Sequence, residues 1–104
     1  MTDFAGAQRR AWDNKLAKGF NTTDVPLEFC LLHAEIAEAF EVWRKMKPGV
    51  GGELADAAIF LLGLAQMTGV DLGSEVDAKL AVNEAREYVR LPNGTPVKRE
   101  ADRG

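Results

Sequence analysis

The chain has 104 residues, 46% hydrophobic and 28% charged, with 13 basic and 16 acidic side chains, the size and balance of one small globular domain. One cysteine, Cys30, rules out an intramolecular disulfide and a Cys-rich zinc site. The net charge of −3 argues against a nucleic-acid coat or an anionic-membrane binder, though a bound cation would still admit a polyanionic substrate.

Proline and glycine punctuate the sequence, and what lies between them reads as helix. Residues 3 to 18 carry Phe4, Ala7, Ala11, Trp12 and Leu16 at helical spacing, with a stop at Lys18-Gly19. Asn21-Thr22-Thr23-Asp24 offers N-caps for a second helix over 26–46, with Pro26 at its tolerated N-terminal place. Phe29, Leu32, Ile36, Phe40 and Trp43 form the apolar stripe of that helix, which marks Trp43 as a packing residue. Pro48-Gly49-Val50-Gly51-Gly52 is a flexible turn. The third helix, 52–68, is apolar nearly all round, as in a bundle core or a subunit interface, and Gly69 ends it. The fourth begins near Asp71 or Gly73 and runs to Val89, with Leu72, Val76, Leu80 and Val82 as its buried side. Pro92-Asn93-Gly94-Thr95-Pro96 is a turn, and Lys98 to Gly104 reads as a charged, mobile tail.

The expected architecture is all-α, a four-helix bundle over 1–90 with a C-terminal turn and tail over 91–104. A chain this short buries only about 60–65% of its unfolded surface, so it depends on good helix packing or oligomerisation. The longest apolar run, Ala57 to Ala65, is about half the length that spans a bilayer. The first residues lack a basic region followed by an apolar stretch, which makes the cytoplasm the expected compartment and a membrane no partner.

Four carboxylates stand out. Glu35 and Glu38 are three apart and project from one face of helix two, a face they share with Leu27 and Leu31. Glu53 and Asp56 are three apart on helix three, the most apolar helix, on the face that continues as Phe60, Leu64 and Met67. Unpaired carboxylates facing a bundle interior need a compensating charge. One reading is structural: Glu53 and Asp56 favour the helix N-terminus, and Glu35 and Glu38 pair with lysines. The other is an oxygen-only site for Mg²⁺ or Mn²⁺, ions that also bind substrate phosphates. Antiparallel helices would set the two acid pairs at different heights, so a shared cleft would need crossing helices or a subunit interface. On helix four, Lys79, Asn83 and Arg86 form a row along one face. That row suits either a solvated helix with Glu75–Lys79 pairing or a grip on phosphate oxygens.

Taken in order, Glu35-Ile36-Ala37-Glu38, a spacer, Glu53-Leu54-Ala55-Asp56, then Lys79 and Asn83 resemble the pattern of the MazG-like all-α nucleoside triphosphate pyrophosphohydrolases. The resemblance covers about residues 8 to 90. It implies hydrolysis between the α- and β-phosphates of a (deoxy)nucleoside triphosphate, giving monophosphate and pyrophosphate. It implies that Glu35, Glu38, Glu53 and Asp56 hold Mg²⁺, with Mn²⁺ as the alternative, and that Glu38 activates the water. Lys79 and Arg86 would contact phosphates, and Asn83 phosphate or sugar. Family members assemble as homodimers or dimers of dimers, which would complete the bundle and explain the third helix. Trp12, Lys15 and Phe20 lie in a region that family members use around the nucleotide, although Trp12, at helical spacing from Leu16, suits the core better. His33 reads as a core-edge residue before a pocket group, and Cys30 as a small buried one.

Other readings remain open at this point: a non-catalytic helical interaction module with the acids in interface salt bridges, a nucleotide sensor, and a phosphoribosyl-ATP pyrophosphohydrolase. No nucleic-acid polymer is expected as a partner.

Overall fold

The computed structural model describes residues 3–99. Four helices follow in chain order, α1 (Phe4–Lys18), α2 (Val25–Arg44), α3 (Val50–Met67) and α4 (Leu72–Ala85), and then two short strands, β1 (Tyr88–Arg90) and β2 (Pro96–Lys98). The all-α expectation holds, with the hairpin as an addition. The chain divides into two compact units, one through Gly73 and one from Ser74.

Local chemistry sets the helix ends. Asp3 caps α1, its Oδ1 accepting from the Gly6 N–H at 2.6 Å, and Gly19 closes it at φ 69°, a left-handed conformation that costs glycine nothing. Asp24 caps α2 by accepting from the Leu27 N–H at 3.1 Å, with Pro26 in the first turn. Helix α2 stops at Arg44, two residues before its expected end, and Met46 turns the chain at φ 56°. Helix α3 starts two residues earlier than expected, at Val50, behind Gly49 at φ 107°. At its C-terminus the Thr68 hydroxyl donates to the Leu64 carbonyl at 2.9 Å, which also accepts the Thr68 N–H at 3.0 Å.

In the first unit, α3 packs against both α1 and α2. Its buried residues are Ala57, Leu62, Gly63, Leu64 and Ala65, and small side chains there let the neighbouring helices approach. By length and composition α3 would suffice to cross a membrane, and only 22% of it is buried, with Leu54, Ile59 and Leu61 exposed.

The apolar stripe expected to face the core of α2 does not. Phe29, Ile36, Phe40 and Trp43 are exposed, Trp43 at 65%. Instead Glu28 and Ala39 are buried, with Leu32, Glu35 and Val42 half-buried along the same heptad-spaced face. Phe40 and Trp43 touch each other outside, ring centroids 6.2 Å apart. Cys30, expected inside, is exposed, and so is His33. Of the residues expected to form the buried side of α4, Leu80 and Val82 are exposed, and Leu72 and Val76 are half-buried.

The second unit corrects the C-terminal reading. Helix α4 ends at Ala85, and residues assigned to helix or tail form an antiparallel hairpin with Tyr88 opposite Lys98, Val89 opposite Val97 and Arg90 opposite Pro96. The intervening segment is the turn expected from Pro92-Asn93-Gly94, with Gly94 at φ 88° and its N–H donating to Leu91 O at 2.8 Å. Arg99 donates to the Glu87 carboxylate across the open end. The rest of the expected tail, residues 100–104, lies outside the described residues.

Candidate metal centre

Helices α2 and α3, joined by the short segment from Lys45 to Gly49, bring the acid pairs together within one chain. Glu35, Glu38 and Glu53 each present an oxygen such that all three atoms lie within 4.8 Å of one another. Glu35 and Glu53 are half-buried and Glu38 is exposed. Asp56, one turn beyond Glu53, is exposed and outside this trio, yet close enough for its charge to act on Glu35. Partial burial, then the like charges of Glu38, Asp56 and Glu53, hold the Glu35 carboxyl above its ordinary value of 4.5.

Glu53 lies in the first turn of α3, as the structural reading expects, but no lysine or arginine among the described residues of this chain pairs with the four acids. Among the described residues the ion pairs are Lys15–Glu28, Glu41 with Arg44 and Lys45, and Arg99–Glu87. Glu41, on the same helix, displays the contrast: its hydrogen bonds to Arg44, at 2.8 and 3.2 Å, and the charge of Lys45 hold its carboxyl below the ordinary range.

Carboxylate oxygens on one hard divalent cation are separated by at most twice the metal–oxygen distance, about 4–5 Å. The Glu35, Glu38 and Glu53 oxygens, within 4.8 Å of one another, would have to draw in to about 4 Å to share Mg²⁺, and a cation there would offset the like charges that act on Glu35. An all-oxygen donor set is the kind that suits Mg²⁺ or Mn²⁺.

A second polar cluster lies in the first unit. Lys15 and Glu28 form a buried ion pair, Nζ to Oε2 2.6 Å, with side chains 10% and 0% exposed. Asn21 Nδ2 donates to the other carboxylate oxygen at 3.1 Å and to Asp24 O at 2.8 Å, and Asn21 Oδ1 accepts from the Asp24 N–H at 2.9 Å. Gly63 makes room for the pair, since a Cβ there would stand 2.9 Å from Lys15 Cε. The pair floors a cavity of about 270 Å³ whose other walls include Phe20, Phe60, Ile59, Asn14 and Asn21. Trp12 is half-buried and does not line it. Glu28 is the residue that sequence reasoning missed; its one signal is its phase, seven residues before Glu35 on the inward stripe.

On α4, Lys79 and Asn83 are exposed and Arg86, just past the helix end, is half-buried. Arg86 Nη1 donates to Asn83 Oδ1 at 2.7 Å, which ties the lower two members of the row together. The Glu75–Lys79 ion pair is not formed among the described residues.

Known proteins resemble the chain over part of its length. It is 50% identical over 44 residues to a dATP/dGTP diphosphohydrolase of Salmonella phage PMBT28, covering 42% of this chain and 15% of that protein. It is 48% identical over 42 residues to a dATP/dGTP diphosphohydrolase of Cyanophage S-2L, covering 40% of each. The matched segments thus span well under half of either relative. No family model matches the chain, and no solved structure does. The resemblance to MazG-like pyrophosphohydrolases expected from the sequence is matched by these two relatives.

Proposed function

We propose that the chain hydrolyses purine deoxynucleoside triphosphates to monophosphate and pyrophosphate, with Mg²⁺ or Mn²⁺ held by Glu35, Glu38, Glu53 and Asp56. The observation that carries this reading is the convergence of three unpaired carboxylates from α2 and α3. The purine preference rests on the names of the two relatives. When bound, the cation neutralises phosphate oxygens and lowers the barrier to attack on an anionic centre.

The chain's own residues have separable tasks in this reading. Glu38, the exposed member of the trio, takes a proton from the attacking water. The new bond forms between water oxygen and phosphorus as the bond to the bridging α,β oxygen breaks, and pyrophosphate leaves with that electron pair. Lys79 and Arg86 hold phosphate oxygens, and Asn83 holds phosphate or sugar. The cavity floored by Lys15 and Glu28 takes the base, with Phe20 and Phe60 among its walls.

The protein works in the cytoplasm as a homodimer or dimer of dimers. The exposed row Phe29, Ile36, Phe40 and Trp43 supports this, since it is a heptad-spaced stripe of the kind that helices bury against one another.

The test is to incubate the protein with each dNTP and NTP plus Mg²⁺ and to measure pyrophosphate and orthophosphate separately. Pyrophosphate from dATP or dGTP, abolished by EDTA, is the expected result. Orthophosphate alone, or no turnover of any triphosphate, overturns the proposal.

A further inference from the structure

Helix α4 is a weak helix on its own terms. It has 14 residues, none of them fully buried, and a glycine at its second position. A helix of that length in water is marginal because its first turn fixes several residues for one hydrogen bond. Its start therefore gains from help outside the helix as well as from its own first turn.

That help comes from α1. Gln8 is 7% exposed, and both ends of its amide are used. Its Nε2 donates to Gln66 Oε1 at 3.0 Å and to Val70 O at 2.8 Å, and its Oε1 accepts from the N–H of Leu72, the first residue of α4, at 3.2 Å. One turn earlier on α1, Phe4 lies against Gly73, so close that a Cβ there would stand 3.0 Å from the Phe4 Cβ. The Leu72 N–H is one of the donors that a helix N-terminus leaves without an intrahelical partner. One buried amide thus joins α3, the α3–α4 corner and the first residue of α4.

We infer that Gln8 is a positioning residue: by satisfying the first N–H of α4 and pinning the corner before it, Gln8 nucleates the helix that carries Lys79 and Asn83. The functional part of this inference rests on the proposed role of those two residues toward phosphate. Gln8 touches neither substrate nor cation. Its contribution is felt as substrate affinity, through a helix that stays formed.

The test uses the full chain and Gln8→Met, which keeps the side-chain volume and removes all three hydrogen bonds. Amide exchange from Leu72 to Val76 should quicken by about fivefold or more, the worth of roughly one net hydrogen bond, while α2 amides keep their protection. In dGTP hydrolysis KM should rise by a similar factor with kcat changed less than about twofold. Lys79→Ala should cost less in the Gln8→Met background than in the native chain, because the two act on one helix. Unchanged exchange over Leu72–Val76 overturns the nucleation. With exchange quickened, equal falls in kcat and kcat/KM, or independent effects of the two substitutions, overturn the link to Lys79. If the native chain turns over no triphosphate, the proposed activity fails, and exchange alone decides what Gln8 does for α4.

Discussion

Replacing Gly63 with alanine sets two effects of opposite sign against each other. In a helix interior the substitution ordinarily stabilises by about 1 kcal/mol. Here the added Cβ would stand 2.9 Å from Lys15 Cε, 3.1 Å from Lys15 Cδ and 3.8 Å from Glu28 Oε2. Ordinary carbon contact begins near 3.5 Å, so the lysine stem must retreat by about half an ångström or more. A free lysine would do so cheaply, but this one is buried and held at 2.6 Å to a carboxylate of zero exposure. Overpacking of this kind costs about 1–3 kcal/mol, and opening the buried pair costs about 3–5 kcal/mol. After the helical gain is subtracted, overpacking with the pair kept leaves a loss of up to about 2 kcal/mol and opening the pair one of about 2–4 kcal/mol, so the expected net loss is about 2 kcal/mol. For a domain of this size that lowers Tm by roughly 5–15 °C, readable by circular dichroism. In a Lys15→Met, Glu28→Leu background nothing pins the stem, and Gly63→Ala should raise Tm. A raised Tm from Gly63→Ala in the otherwise native chain would refute the argument that the pair is rigid and that Gly63 exists to admit it.

Four further predictions concern the carboxylates and the exposed stripe. Glu38→Gln or Asp56→Asn should reduce pyrophosphate release by about a hundredfold or more; Glu53→Ala should melt higher than the native chain without metal and respond little to Mg²⁺, and an unchanged Mg²⁺ shift would remove Glu53 from the site. Because Glu35 is held above its ordinary value in the fold, the folded state binds more protons than the unfolded one between those two values. The metal-free protein should therefore lose stability as pH rises through that window, and Glu35→Gln should flatten this part of a Tm–pH profile; an unaltered slope contradicts the assignment. Trp43→Glu should shift the light-scattering mass toward that of one chain, while a native chain already monomeric at micromolar concentration would sink the shared-bundle reading.

Features fixed by neighbouring residues were legible in the sequence. Gly19 and the Asp24-Val25-Pro26 run mark helix ends through backbone rules that need no tertiary context. The acid pairs were legible because three-residue spacing puts two side chains on one face, and the structure then places Glu35, Glu38 and Glu53 together on a single hairpin of helices. The inward face of α2 was misjudged for a physical reason. Periodicity finds an apolar stripe, but it does not say which partner covers it. The Phe29–Trp43 stripe is exposed in one chain, whereas the mixed stripe through Glu28 and Glu35 faces inward. Lys15 was singled out without Glu28, since a pair 13 residues apart across a helix connection leaves no periodic trace. The hairpin was hidden because Tyr88 and Val89 prolong the spacing of α4, and its strands form only by pairing with residues beyond the turn.

The two fully buried positions of α1 are both polar, Gln8 and Lys15, and they stand seven residues apart, two turns along the same side. Greasy helix contacts tolerate sliding, because one methyl-lined notch resembles the next. Here a slip of one turn, about 5.4 Å, would separate the Lys15 ammonium from the Glu28 carboxylate and strand a carboxamide between three unmatched groups. Helix α1 thus has one admissible seat, fixed at two points like a key with two teeth. The wall that it contributes to the neighbouring cavity is accordingly set to within a fraction of a turn.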